Sequence, residues 1–298
     1  MWNGVLVLDK PAGFTSFDVV AVTRGLAHTR KIGHTGTLDP MATGVLPLLL
    51  GCATRAEALL PDTDKTYEAG FRLGVETDTQ DSTGTVLRDC RAAVPPADLY
   101  AVCERFRGEI LQVPPMYSAV KQGGKKLYEL ARQGVEVDRA PRPVTIRQLK
   151  VTSFCPETGE GTLLVACSKG TYIRTLCHDI GRALGCGGVM TALRRTMAAG
   201  FTLADAITLD EARELAAQER LQTRLLPVER LFAQYPQITV TPGQAVRFQN
   251  GGALSLDRLA AAPRGVCRVL SPEGGFLGLG NPDPARGELR VLRLFKGC

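Results

Sequence analysis

The sequence predicts a mixed α/β fold of the α+β class, in which a large domain of strands and helices is followed by a small β-rich module. Three observations carry that prediction. Short apolar runs at residues 4–8 and 45–50 are bounded by Gly/Pro-rich turns, as buried strands are. Between such runs lie segments of helical periodicity, with Leu99, Val102, Cys103 and Phe106 falling at i, i+3, i+4 and i+7. After Gln234-Tyr-Pro236 the composition shifts to short apolar stretches alternating with Gly/Pro turns. The 298 residues suit one large domain and one small one, placed at 1–235 and 236–298.

Taken in order, residues 4–8 read as a buried strand, Lys10-Pro-Ala-Gly13 as a turn, and the following segment as a helix capped by Thr15 or Ser16. A Gly/Thr/Pro-rich loop comes next. Residues 45–50 form a second strand, 53–60 a short helix, and 66–73 an alternating strand with Tyr67, Phe71 and Leu73 on one face. Pro95-Pro96 opens the helix that holds Leu99. Residues 122–134 read as a small basic helix, entered through two glycines and left through a third, ahead of Arg139-Ala-Pro-Arg-Pro143. That is the composition of a hinged basic flap over about 121–143. Strands follow at 144–154 and 162–168, then a helix at 172–184 closed by Gly185. Thr208-x-x-Glu211 and Thr241-Pro-Gly-Gln244 are capping boxes that open two further helices.

Composition narrows the function classes. With 44% hydrophobic and 22% charged residues the chain is of the ordinary globular kind. No apolar run approaches a membrane span and no basic leader precedes the first strand, so a cytoplasmic protein with no membrane association is expected. Nine cysteines form no C-x-x-C pair, which points to free thiols in a reducing compartment. Cys177 adjoins His178, but neighbours on a helix point in different directions, so core packing is the better reading than a catalytic thiol. His28, His34 and His178 stand in unrelated settings, and no metal site is expected. The net charge of +6 is unevenly placed. Residues 121–150 carry eight Lys/Arg against three Asp/Glu and residues 168–198 five against one, so the remainder of the chain is slightly acidic. Two basic stretches on an acidic body fit either solvated helix faces or a polyanion track.

The run Gly33-His-Thr-Gly-Thr-Leu-Asp-Pro-Met-Ala-Thr-Gly-Val-Leu-Pro47 concentrates chemistry in one loop. Gly33, Gly36 and Gly44 open backbone angles closed to other residues, and Pro40 pushes Asp39 out of helical geometry. Such a loop can present one carboxylate to a cleft. By its chemistry alone, Asp39-Pro40 is more often a turn starter or helix cap than a catalyst.

The order of these fifteen residues resembles the catalytic-aspartate motif of the TruB-type tRNA pseudouridine synthases. Lys10-Pro-Ala-Gly13, Asp64-Lys-Thr-Tyr67, Leu73-Gly-x-x-Thr-Asp-Thr-x-Asp81, Lys169-Gly-Thr-Tyr-Ile-Arg174 and Leu193-Arg-Arg195 resemble further elements of that family, over about residues 3–230. The resemblance implies a central, largely antiparallel sheet and a PUA-like RNA-binding module at 236–298, where Phe276-Leu-Gly-Leu-Gly280 and Leu292-Arg-Leu-Phe295 are its looser signs. It implies isomerisation of the T-arm uridine of tRNA at the position conventionally numbered 55, with the base flipped out of the RNA. The reaction breaks C1′–N1 and rejoins the base through C5, so it needs no cofactor.

By the same resemblance Asp39 is the catalytic carboxylate, as nucleophile or as a base promoting a glycal-like intermediate. Tyr67 stacks on the flipped base, where a core aromatic is the plainer reading. Tyr172 lines the pocket, and Arg174 orients Asp39 and keeps it ionised. His34 fills the place of the flipped base or contacts nearby RNA, and Arg55, Asp81 and Leu193 match further pocket positions, Asp81 being equally well explained by turn chemistry. Lys121, Lys125, Lys126, Arg132, Arg139 and Arg142 are the expected phosphate contacts as the flap closes. Two rivals stand beside this reading. One is an RNA-folding protein that uses the same cleft without catalysis, and the other is the related guide-RNA-dependent enzyme of a multi-protein particle. The basic flap favours stand-alone recognition with no guide RNA or obligatory protein partner, and a monomer is expected because no coiled coil or exposed apolar helix is evident in the sequence.

Overall fold

The computed structural model describes residues 2–61, 63–90 and 93–295. In chain order the elements begin with β1 (Gly4–Lys10), α1 (Ser16–Leu26), β2 (Ile32–His34), β3 (Thr43–Leu50), a 3₁₀ segment (Gly51–Leu59), β4 (Lys65–Leu73), β5 (Val75–Thr77) and β6 (Val86–Asp89). They continue with α2 (Pro96–Glu104), β7 (Gly108–Gln112), β8 (Lys121–Gln122), β9 (Lys125–Lys126), α3 (Leu127–Ala131), β10 (Arg142–Cys155), β11 (Glu160–Cys167), α4 (Ile173–Ala183) and β12 (Gly188–Ala198). Last come β13 (Phe201–Thr202), β14 (Ile207–Thr208), α5 (Leu209–Ala217), β15 (Gln237–Thr239), α6 (Pro242–Gln249), β16 (Leu254–Ser255), β17 (Cys267–Leu270), β18 (Phe276–Asp283) and β19 (Glu288–Leu294). The fold is mixed α/β with a large, mainly antiparallel sheet, as the sequence predicts. The chain divides into two compact units, one of residues 1–39, 45–62 and 199–298 and the other of 40–44 and 63–198.

In the first unit the strand order is β14-β1-β3, with β2 antiparallel on β3 through Ile32 and Leu50, and β1 parallel to β14 through Leu8 and Ile207. Thr15 caps α1 as predicted: its Oγ1 accepts from the Asp18 amide at 3.1 Å, while its own amide donates to the Asp18 carboxylate at 2.8 Å. The helix buries Val19 and Val20 against Leu6, Leu8, Leu46, Leu48 and Leu50 of the sheet, and Leu209 and Ala212 of α5 join that core. Each of these valine and leucine side chains contributes about 1.5–3 kcal/mol on burial. The expected capping box at Thr208 and Glu211 is present, with reciprocal bonds of 2.6 and 3.1 Å. The expected short helix after β3 is present as a 3₁₀ segment, in which Thr54 Oγ1 also donates to the Gly51 carbonyl at 2.8 Å. Within the same unit, β15-β17-β18-β19-β16 form a separate sheet with its own core of Phe248, Leu254, Val269 and Leu289. Thr241 caps α6 as predicted, its Oγ1 accepting from the Gln244 amide.

In the second unit the order is β12-β4-β11-β10-β7, antiparallel throughout, and the first residues of β3 pair parallel to β12 at Thr43 and Gly44. β4 alternates as read: Tyr67, Ala69, Phe71 and Leu73 are buried and Glu68 and Arg72 exposed. Helix α4 packs on β12 and β4, and α2 packs against α4 and β10. Residues 122–134 are not one helix: Gly123 and Gly124, with φ of 57° and 85°, make the two-residue turn of the β8–β9 hairpin, and only the five residues of α3 are helical. β12, unread in the sequence, is eleven residues long and pairs with β4 on one side and with Thr43 and Gly44 on the other.

Candidate active site

The loop bearing Asp39 is held at its base by a side chain that the sequence offered only as a helix cap. Ser16 Oγ donates to the Leu38 carbonyl at 3.3 Å and accepts from the Leu38 amide at 2.8 Å, so the peptide next to Asp39 is clamped to the start of α1. Leu38 is buried and Asp39, one residue on, is half-buried, between the core and the exposed Pro40. His34 bends into the same loop, where its Nδ1 accepts from the Gly36 amide at 3.2 Å; that bond requires Nδ1 to be unprotonated. Arg55 is exposed on the 3₁₀ segment.

In the second unit Gly44 explains why glycine stands in the loop motif. Its φ is 105°, and a Cβ there would lie 2.1 Å from the Arg195 carbonyl oxygen, so β3 can run against β12 only without a side chain. Beside it, Arg194 donates from Nη1 to Thr43 Oγ1 at 3.3 Å. On the other side of β12, Arg195 faces Tyr67 and Leu193 faces Ala69 across the antiparallel pairing with β4. Because alternate strand residues share a face, Tyr67, Leu193 and Arg195 lie on one side of the sheet. Tyr67 is 5% exposed, Leu193 8% and Arg195 0%. Arg195 donates a hydrogen bond to the Tyr67 hydroxyl; burial pulls its guanidinium below the usual arginine range, and Tyr67 opposes that shift.

Tyr172 and Arg174 stand at the start of α4. Buried Gln112 of β7 grips the Tyr172 peptide from both sides, its Oε1 accepting from the amide at 2.8 Å and its Nε2 donating to the carbonyl at 3.0 Å. Arg174 donates to the Thr79 and Tyr117 carbonyls at 3.2 and 2.9 Å and lies 3.6 Å from the Asp81 carboxylate. Asp81 in turn accepts from Thr79 Oγ1, the Thr83 amide and Thr83 Oγ1 at 2.8, 3.0 and 2.5 Å. Asp81 is therefore turn chemistry and an ion-pair partner at once. Sequence reading did not single out Gln112 or Tyr117; they lie about sixty positions from the residues they hold, and nothing local marks them.

Among the expected phosphate contacts, Lys121, Lys125, Arg132 and Arg142 are exposed, and Lys126 is half-buried. Lys126 and Arg132 both lie over the Tyr128 ring, at 5.3 and 5.5 Å from its centre. Arg139 is turned inward, bonded to Glu136 at 3.1 Å and to the Pro114 carbonyl at 3.3 Å. The Cys177 thiol is buried and pushed up to about 12, which leaves no thiolate for nucleophilic chemistry beside His178. Cys90, Cys103, Cys155, Cys167, Cys186 and Cys267 are likewise free thiols, while Cys52 is disulfide-bonded, against the expectation of free thiols throughout.

Comparison with known proteins gives this geometry a family. Residues 24–173 match the family described as TruB family pseudouridylate synthase, N-terminal domain, and residues 174–233 match the tRNA pseudouridylate synthase B C-terminal domain. A protein of Azoarcus sp. (strain BH72) named tRNA pseudouridine synthase B is 47% identical over 98% of this chain and 94% of its own. One of the same name from Dechloromonas aromatica (strain RCB) is 47% identical over 94% of this chain and 91% of its own. Among solved structures, a chain of a Cbf5-Nop10-Gar1 complex superposes with a TM-score of 0.75 at 27% identity, covering 98% of this chain and 84% of that one. A chain of an H/ACA RNP bound to a substrate RNA containing 2′-deoxyuridine superposes with a TM-score of 0.74 at 25% identity, over 98% of this chain and 84% of that one. This chain belongs to the TruB family of pseudouridylate synthases and is an isomerase of that class.

Proposed function

We propose that the protein converts the T-arm uridine of tRNA, at the position conventionally numbered 55, to pseudouridine. The observation that carries the reading is the fifteen-residue run at 33–47, in which Asp39 follows the clamped Leu38 on a loop with no other carboxylate. The near full-length identity to proteins named tRNA pseudouridine synthase B supports tRNA as the substrate.

In the reaction the C1′–N1 bond breaks, C1′–C5 forms, C5 loses its proton and N1 gains one, so atoms and electrons balance without a cofactor. Asp39 supplies the carboxylate by one of two routes. As a nucleophile it bonds covalently to the sugar or the base; as a base it removes the C2′ proton to give a glycal. Deuterium at C2′ separates them, since only the glycal route breaks that bond. Tyr67 and Leu193 support the flipped base, Tyr172 lines its pocket, and Arg174 orients Asp39 and keeps it ionised, with His34, Arg55 and Asp81 completing the RNA-binding surroundings. Lys121, Lys125, Lys126, Arg132, Arg139 and Arg142 hold phosphates. The module at 236–298 is PUA-like and binds RNA as well; exposed Arg247, Arg258 and Arg286, with one carboxylate, Glu288, line a hollow of about 270 Å³ there.

The purified chain, incubated with an unmodified tRNA transcript and no guide RNA, is expected to create one carbodiimide-dependent primer-extension stop at the T-arm uridine. The likeness to the Cbf5 chain favours a second reading, in which modification depends on a guide RNA and partner proteins. Absence of the stop until those are added would favour that reading.

A further inference from the structure

Among the largest fully buried side chains is Arg195, a guanidinium on β12. Burying a charge is expensive, and a packed apolar residue in place of a buried ionic group is often neutral or stabilising. Stability alone therefore gives little reason for an arginine here. What the position does give is a fixed donor. Arg195 is directly opposite Tyr67 in the β4–β12 register, its backbone lies against Gly44 of the Asp39 motif, and its side chain donates to the Tyr67 hydroxyl.

A tyrosine ring attached only through Cβ has a broad torsional well about its χ2 bond. One also bonded at the hydroxyl is held at both ends. During the isomerisation the detached uracil must turn about its own axis while its distance from the sugar is kept, and a supporting ring that rocks would let C5 drift from C1′. We propose that Arg195 is a positioning residue of the reaction, acting through the Tyr67 hydroxyl to hold the phenol ring rigid beneath the turning base. This rests on the reading above that Tyr67 supports the flipped uridine.

The test is a set of single-turnover rates and tRNA dissociation constants for wild type, Tyr67→Phe, Arg195→Met, Arg195→Lys and the Tyr67→Phe/Arg195→Met double variant. Tyr67→Phe and Arg195→Met are each expected to slow the reaction ~10- to 100-fold, as small misplacements of a reacting group do, with tRNA affinity within about twofold of wild type. The double variant is expected to be no slower than the worse single one, because both remove the same bond. Arg195→Lys, which keeps a donor, is expected to recover part of the rate. Multiplying losses in the double variant, or a wild-type rate for Arg195→Met, overturns the proposal. So does a wild-type rate for Tyr67→Phe, which decides the matter even if Arg195→Met does not fold. A wild-type protein that makes no pseudouridine overturns the underlying reading as well, whereas active wild type with insensitive variants overturns only this inference.

Discussion

Arg174 and Asp81 form a buried ion pair, Nη1 to Oδ2 at 3.6 Å, with each residue only 5% exposed. The pair ties the first turn of α4 to the β5–β6 loop, and carbonyls of Thr79 and Tyr117 take up further guanidinium donors. Removing one partner strands the other charge away from water. Arg174→Ala and Asp81→Ala are each expected to cost about 3–5 kcal/mol, and the double variant distinctly less than their sum. Urea denaturation measures all three; additive losses would show that the two residues act independently.

Gln112 makes two hydrogen bonds to the Tyr172 peptide. Gln112→Ala leaves the Tyr172 amide without its partner, while the carbonyl keeps the Leu176 amide as donor at 3.0 Å, and is expected to destabilise the protein by about 1–3 kcal/mol. It should also slow pseudouridine formation, because Tyr172 loses its anchor. Gln112→Glu keeps the acceptor for the amide and loses the donor to the carbonyl, so it should fall between the two in both assays.

Asp179 on α4 is raised from 3.8 to about 6 by burial, with Arg182 opposing the shift. A carboxyl raised on folding favours its protonated form in the native state. Its contribution is thus present below the unfolded value near 4 and is lost as pH rises through 6. Because the side chain is partly exposed, the loss is discounted to about 1–2 kcal/mol. Asp179→Asn is expected to be more stable than wild type at pH 8 and equal to it at pH 4. Denaturant midpoints at the two pH values test the sign.

Exposed Lys121 and Lys125 flank the Gly123-Gly124 turn. If each neutralises one phosphate, Lys121→Ala and Lys125→Ala each reduce the slope of log affinity against log salt by ~0.7–0.9. Filter binding across a salt series reads this directly. An unchanged slope would remove that lysine from the RNA contact.

The parts of this fold legible in the sequence are those with local causes. Thr15, Thr208 and Thr241 announce their helices because each cap closes on a residue three positions away. β4 is legible because its buried face repeats every second residue. β12 is not: bulges between Met190 and Ala192 and between Arg195 and Met197 break the alternation, and two adjacent arginines read as surface. The hairpin at 121–126 was masked by lysines, which favour helix over strand, although its Gly-Gly pair is itself a turn signal. In the candidate site, Tyr67, Arg174 and Leu193 follow from motif resemblance. Ser16, Gln112 and Arg195 act through partners on other elements, so their roles emerge only once the strands are paired.

In the proposed reaction the Asp39 carboxylate performs the chemistry. The most direct measurement is single-turnover conversion of an unmodified tRNA transcript by wild type and by Asp39→Asn, which keeps the size of the side chain and removes its charge. The variant is expected to bind the transcript with nearly wild-type affinity and to form no detectable pseudouridine at the T-arm uridine. Pseudouridine formed by Asp39→Asn at a rate near that of wild type would contradict it.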